Sequence, residues 1–207
     1  MIAITKREDY AMAKEDIRIL KTKRDLRAGI VSLLKTRPFE KITVCDICEE
    51  SIINRMTFYK HYMDKKDLLE DLIKVTKGKF ELAEISDDEA CEYPAKILTL
   101  AFKKVISGCV ESKDELVAIS EYDKTLVWEI VYKPLEDVIK KVVTLYDEKV
   151  KKSKFPVEIV SVFISGGLLK LIDRAIKQEE KFSQESEKMA ESFFNEVFTT
   201  NTFFDYE

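Results

Sequence analysis

The chain has 207 residues, enough for one sizeable domain or two small ones. Only five glycines and four prolines, with 36% charged residues, favour long helices over sheet, so the expected class is all-α. No apolar run approaches the roughly 20 residues that span a bilayer, and the opening M-I-A-I-T-K-R-E-D-Y is charged too early for a signal peptide. A cytoplasmic protein without membrane contact is expected.

The net charge of −4 hides an asymmetry. Residues 1–66 carry 15 Lys/Arg and 10 Asp/Glu, whereas residues 67–207 carry 20 and 29. A basic head on an acidic body suits a nucleic-acid module joined to a part that should not adhere to DNA.

In chain order, residues 1–15 show little pattern and read as a flexible arm. Lys14, Arg18, Lys21, Lys23 and Arg24, in or just after it, could reach phosphates or a minor groove. Thr22 with Asp25 signals a first helix, with Leu26, Ile30, Leu33 and Leu34 as its core stripe and a stop before Pro38. Thr43 followed by Asp46 signals a second start, with Val44, Ile47 and Cys48 as the stripe. Asn54, three residues before Thr57, gives a third start, and Asp64 with Asp67 a fourth. Short helices this close together suggest a helix-turn-helix over residues 16–66.

Angle sorts the middle helix. With Phe58 at zero and about 100° per residue, Tyr62 and Asn54 fall about 40° to either side, and Met56 and Lys60 about 160° away. Phe58 and Tyr62 then face inward. Arg55, Met56 and Lys60 face outward and suit base edges. Arg55 and Tyr59 flank that face on one side, Thr57 and His61 on the other.

The run Ile42-Thr43-Val44, Asp46-Ile47, Thr57-Phe58-Tyr59, His61-Tyr62 and Lys65, followed by Leu68-Leu69, resembles the DNA-binding domain of the TetR (tetracycline-repressor-like) family. The similarity runs from Asp16 to about Ile73. With the angles above, it implies that Thr43, Thr57, Tyr59, His61 and Lys65 mainly contact phosphates and that Arg55, Met56 and Lys60 face base edges, with Asn54 in the same DNA-binding set. It also implies a dimeric regulator of transcription, more often a repressor than an activator, whose body frequently holds a small-molecule effector. One departure stands out. The family usually has Gly or Asn in the turn, and this chain has Ile52. A β-branched residue there requires a reshaped turn, a strained backbone or altered DNA binding.

The body, residues 67–207, reads as helices throughout. A long helix runs from Asp64 through Leu72 and Ile73 towards Phe80. Ser86-Asp87-Asp88-Glu89 is a loop or a helix start. Amphipathic stretches follow over 97–109, 116–122 and 128–150, the last kinked near Pro134. Pro156 opens a helix to about Lys177, and Ser183 with Ser186 or Glu187 opens the last, to about Phe198. Phe203, Phe204 and Tyr206 are left unassigned.

No charged residue occurs from Ile159 to Leu169, so this helix is apolar or small nearly all round. One of its stripes can face its own domain and the other needs a second chain. The residues expected at a homodimer interface are Ile164, Gly166, Gly167, Leu168 and Leu171, joined by Met189, Phe193, Phe194 and Val197 of the last helix. Phe102, Tyr122, Trp128, Tyr132 and Phe163, with Tyr146, could line a cavity for a small apolar effector, against plain core packing for each.

Catalysis and metal find little support. One histidine, no glycine-rich loop and no G-x-S-x-G leave few groups for nucleophilic or phosphoryl chemistry. Glu49-Glu50 and Asp87-Asp88 read as solvating charge. Cys45-x-x-Cys48 has zinc or redox spacing, but no second pair follows, Cys91 and Cys109 stand apart, and Cys48 continues a core stripe. No cofactor is expected. The expected partners are double-stranded DNA and a second copy. The alternative is a protein-interaction adaptor or coactivator of the same fold with weakened operator binding.

Overall fold

The computed structural model describes the backbone of residues 2–177 and 180–205, and the side chains of residues 17–172, 185 and 188–205. Among these residues every regular element is helical, apart from one isolated antiparallel bridge between Ser153 and Phe204. No described helix is long and apolar enough to cross a membrane. The chain divides into two compact units, Met1–Val75 with Val117–Asp123, and Thr76–Leu116 with Lys124–Glu207. The division falls after Val75, later than the step in charge after residue 66.

In the first unit α1 spans Ile2–Leu34. The arm expected over residues 1–15 is helical from Ile2, and Thr22 is an interior residue. The reason lies in the sequence: no proline precedes Pro38 and no glycine precedes Gly29, so nothing local stops the helix upstream of Thr22. After Pro38 a short 3₁₀ turn, Phe39–Lys41, leads to α2, Val44–Glu50, then α3, Arg55–Tyr59, and α4, Lys65–Gly78. The expected stripe holds, because Leu26, Ile30, Leu33 and Leu34 are all buried. A Cβ on Gly29 would stand 3.1 Å from Cβ of Ser51 and 3.3 Å from the Ile47 carbonyl, so glycine lets α1 press against the end of α2.

The second unit begins within α4 and continues through α5, Asp87–Glu92, and α6, Pro94–Glu111. Ser86 is a helix start. Its hydroxyl accepts the Glu89 N–H while the Glu89 carboxylate accepts the Ser86 N–H, a reciprocal cap. Gly108 of α6 lets Phe80 lie flush, since a Cβ there would meet the ring at 2.9 Å. Next come α7, Lys113–Tyr122, whose last turns belong to the first unit, and α8, Lys124–Val127. The kink expected at Pro134 takes the form of a π turn over Trp128–Tyr132 that leads into α9, Lys133–Lys149. Pro134 has no N–H to give the carbonyl one turn back, and the wider turn absorbs that loss. Finally α10, Val157–Lys177, and α11, Glu180–Thr199, pack with α6 and α9. α11 is helical from Glu180, ahead of the start expected at Ser183, and the side chains of Ser183, Ser186 and Glu187 lie outside the described residues, as does Tyr206. Phe204 closes this core with its ring 4.9 Å from that of Tyr146 and 5.5 Å from that of Phe198.

Candidate DNA interface

Three helix ends position the candidate site. Thr43 caps α2, accepting the Asp46 N–H at 3.2 Å and donating its own proton to the Asp46 carboxylate at 2.7 Å. The Thr43 hydroxyl and backbone N–H, together with the Arg37 guanidinium 3.2 Å away, hold the Asp46 carboxyl below its ordinary value. The only hydroxyl proton of Thr43 is therefore already spent within the protein.

The turn keeps the left-handed residue that its position demands. Ile52 has φ of 55°. Its N–H reaches the Glu49 carbonyl at 3.2 Å, and the N–H of Ile53 reaches the Cys48 carbonyl at 2.9 Å. These two bonds make the Schellman closure of α2, in which the left-handed residue is usually glycine. Isoleucine there costs roughly 1–2 kcal/mol in backbone conformation. Of the outcomes open to the sequence, the turn is strained rather than reshaped. The side chain recovers no packing, since it is 93% exposed.

Asn54 caps α3, its carbonyl oxygen accepting the Met56 N–H at 2.7 Å. The angular reading holds on both faces. Phe58 and Tyr62 are buried, Met56 is 73% exposed, Arg55, Tyr59 and Lys60 are exposed, and Thr57 and His61 are half-buried. Burial, and then the neighbouring charges of Lys23 and Lys60, push the His61 imidazolium below its ordinary value. His61 is therefore mainly neutral at pH 7 and becomes cationic only on acidification.

What pins this helix was not visible in the pattern. The Tyr62 hydroxyl donates to Asp71 Oδ2 at 2.6 Å, and Arg27 Nη1 reaches the same oxygen at 2.7 Å. Lys23 Nζ lies 5.3 Å from the centre of the Tyr62 ring. One carboxylate thus ties α1, α4 and the segment that follows α3 together. Burial pushes the Asp71 carboxyl up, but Tyr62 and Arg27 outweigh it and hold the group below its ordinary value. The same burial, with Asp71 beside it, pushes the Tyr62 phenol up. A tyrosine at an inward position was the available signal, because a buried hydroxyl needs a partner.

Lys65 departs from expectation. Its ammonium donates to the carbonyls of Phe39, Ile42 and Glu40, at 2.8, 2.8 and 3.3 Å, and lies 4.5 Å from the Phe39 ring centre. An ammonium has three protons, and all three are committed to the end of the 3₁₀ turn. Lys65 therefore acts as a structural clamp in place of the phosphate contact expected from sequence. Cys48 is core, as expected. Cys45 is exposed and its thiol donates to Glu49 at 3.5 Å.

The expected interface of the second unit is corrected in part. Ile164 and Leu168 of α10, and Phe194 and Val197 of α11, are buried in their own unit, and Leu171 is half-buried. The stripe of α10 turned to solvent is the other one: Ile159, Val162, Phe163 and Gly166, with Gly167 beside it. A Cβ added at either glycine meets nothing within 4 Å. On α11, Met189 and Phe193 remain exposed. The reason is angular: α10 has two apolar faces and the core takes only one.

The aromatics proposed for an effector do not form one lining. Phe102 is fully buried core, and Tyr122 belongs to the first unit, where it packs edge-on to Phe39 at 5.1 Å. Trp128 and Tyr132 lie against each other at the π turn, 5.4 Å apart, and Phe163 is 69% exposed. Of the set, Tyr146 borders a cleft of about 440 Å³, with Cys91, Tyr93, Lys96 and Phe198 among its other walls.

No protein-family model matches the chain. It is 35% identical over 60 residues to the uncharacterised HTH-type transcriptional regulator YxbF of Bacillus subtilis (strain 168). That match covers 28% of this chain and 16% of that protein, so the chain spans only a small part of its curated relative. Among solved structures, a protein described as a TetR-family transcription regulator from Shewanella sp. PV-4 superposes with a TM-score of 0.53 at 12% identity, over 89% of this chain and 99% of that one. The dihydroxyacetone kinase operon activator DhaS gives 0.51 at 15% identity, over 89% and 98%. Identities this low establish architecture and nothing finer, and on that ground the chain has the all-helical fold of the TetR-family transcription regulators.

Proposed function

We propose that this protein is a DNA-binding transcriptional regulator that reads an operator with α3 and works as a homodimer. The observation that carries the reading is α3 itself. It is short, capped by Asn54, anchored on its inner face by Phe58 and Tyr62, and presents Arg55, Met56 and Lys60 to solvent. A helix held this way suits a major groove, with its first residues at base edges. The dimer rests on the outward stripe of α10 with Met189 and Phe193. Two heads about one helical turn apart would read a palindrome.

Repression, by occupying a promoter, is the proposed outcome. DhaS, an activator by its description, shares the fold, so the fold is compatible with either sign of regulation. Release by a small-molecule effector stays in this reading without assigned residues, because the proposed aromatics are not gathered. The adaptor alternative draws on the strained turn and on Met63, which is 83% exposed. Selecting duplexes from random DNA with the purified full chain separates the two. The regulator enriches a two-fold-symmetric site, and the adaptor enriches none.

A further inference from the structure

Four large apolar side chains stand exposed between Ile52 and Met63: Ile52, Met56, Tyr59 and Met63. Single exposed hydrophobics need no explanation. Met56 differs because of where it sits. It is the second residue of α3, and its backbone N–H is held by the Asn54 side chain at 2.7 Å, so the base of its side chain is placed on the outward face before any partner arrives. It shares the outward face with Lys60, one turn on, and Arg55 precedes it. Cations thus surround an uncharged thioether with no proton to donate.

Each base pair offers the major groove nitrogen and oxygen atoms, which Arg55 and Lys60 can read. Met56 cannot donate to them and accepts only weakly. The one apolar group on a base edge there is the thymine C5-methyl. A flexible, polarisable side chain can close on a methyl group without demanding one geometry. We infer that Met56 is a specificity-determining residue that selects thymine through its methyl group, near the base position read by Arg55. This rests on the proposal that α3 lies in a major groove, and it adds a base identity to that proposal.

The test separates the two. The full chain selects duplexes from random DNA. In the selected half-site each thymine is replaced in turn by deoxyuridine, which keeps every hydrogen-bonding group and removes only the methyl. Affinity should fall about fourfold, the worth of one buried methyl, at one position in each half-site. With Met56→Ala the same replacement should cost nothing. That variant should fold, because the side chain is exposed, and a thermal melt checks it. If wild type tolerates every deoxyuridine on a site it binds sequence-specifically, the inference is overturned. A loss that persists in Met56→Ala also overturns it, because another residue then reads the methyl. If no duplex is enriched, the operator reading falls and the inference falls with it.

Discussion

Two surfaces of this protein expose apolar side chains, and they are built differently. Along α3 and its C-cap the exposed Met56 and Tyr59 are set beside Arg55 and Lys60, so the face is both cationic and apolar. On α10 the exposed Ile159, Val162 and Phe163 stand in a stretch without one charge, beside two glycines with open space above them. The first composition suits a polyanion with methyl groups on its base edges. The second suits a surface as uncharged as itself, and a second copy of the same helix meets that condition. Exposure alone would have grouped the two, and the charge around each side chain separates them.

The largest effect that could break this contrast lies on α10. Phe163→Glu should convert the protein to a monomer in sedimentation, weakening self-association roughly 30-fold or more while the helical circular-dichroism signal stays near wild type. Phe194→Glu should instead unfold the second unit, because it buries a charge in a closed core. If both variants behaved alike, the division of α10 and α11 into an inner and an outer face would be wrong.

On the first unit, Asp71→Ala should cost about 2–3 kcal/mol in denaturant unfolding, since Tyr62 and Arg27 both lose their acceptor. The sign with pH follows from the direction of the shift. Because folding lowers the Asp71 pKa, its contribution is present above the ordinary aspartate value and fades as pH falls through the lower folded one. Lys65→Ala should cost about 1–2 kcal/mol and leave the salt dependence of DNA binding unchanged. Lys60→Ala should flatten that dependence by about two units, one per subunit, if its charge also neutralises a phosphate. An altered salt slope in Lys65→Ala would restore the phosphate role that its three carbonyl partners argue against.

Smaller effects sharpen the picture. Ile52→Gly should stabilise the first unit by roughly 0.5–1 kcal/mol, the relief of the left-handed strain less the added freedom of the unfolded chain. A destabilised variant would mean that the exposed side chain contributes more than the backbone loses. His61 offers a pH readout. Free His61 is held below its ordinary value, and nearby phosphates would raise it. Operator affinity should therefore rise as pH falls from the raised bound value towards the lowered free one, by at most about tenfold per unit for each His61 of the dimer, and His61→Gln should lose that rise.

Much of the first unit was legible because its signals are local. A cap is a side chain and a backbone group three residues apart, so Thr43 with Asp46 announces α2, and 100° steps sort Phe58 from Met56. Lys65 and Asp71 were not legible in that way. Their partners lie at Phe39 to Ile42 and at Arg27, more than twenty residues back, and no period links them. The same limit governs α10. Two apolar stripes are plain in the sequence, but which one the core takes depends on α6, α9 and α11. The aromatics of the second unit carry no spacing that tells a lining from a filling, and the structure makes Phe102 a filling.

The most direct test of the account is the specificity ratio, the affinity for a selected operator over that for random duplex at one salt concentration, compared between wild type and Arg55→Ala. If the outward face of α3 reads base edges, the ratio falls roughly 5- to 150-fold for each half-site, the equivalent of about 1–3 kcal/mol per bidentate base contact, and the two half-sites multiply, while affinity for random duplex changes little. An Arg55→Ala protein that keeps the wild-type ratio would contradict the claim that α3 is the reading helix.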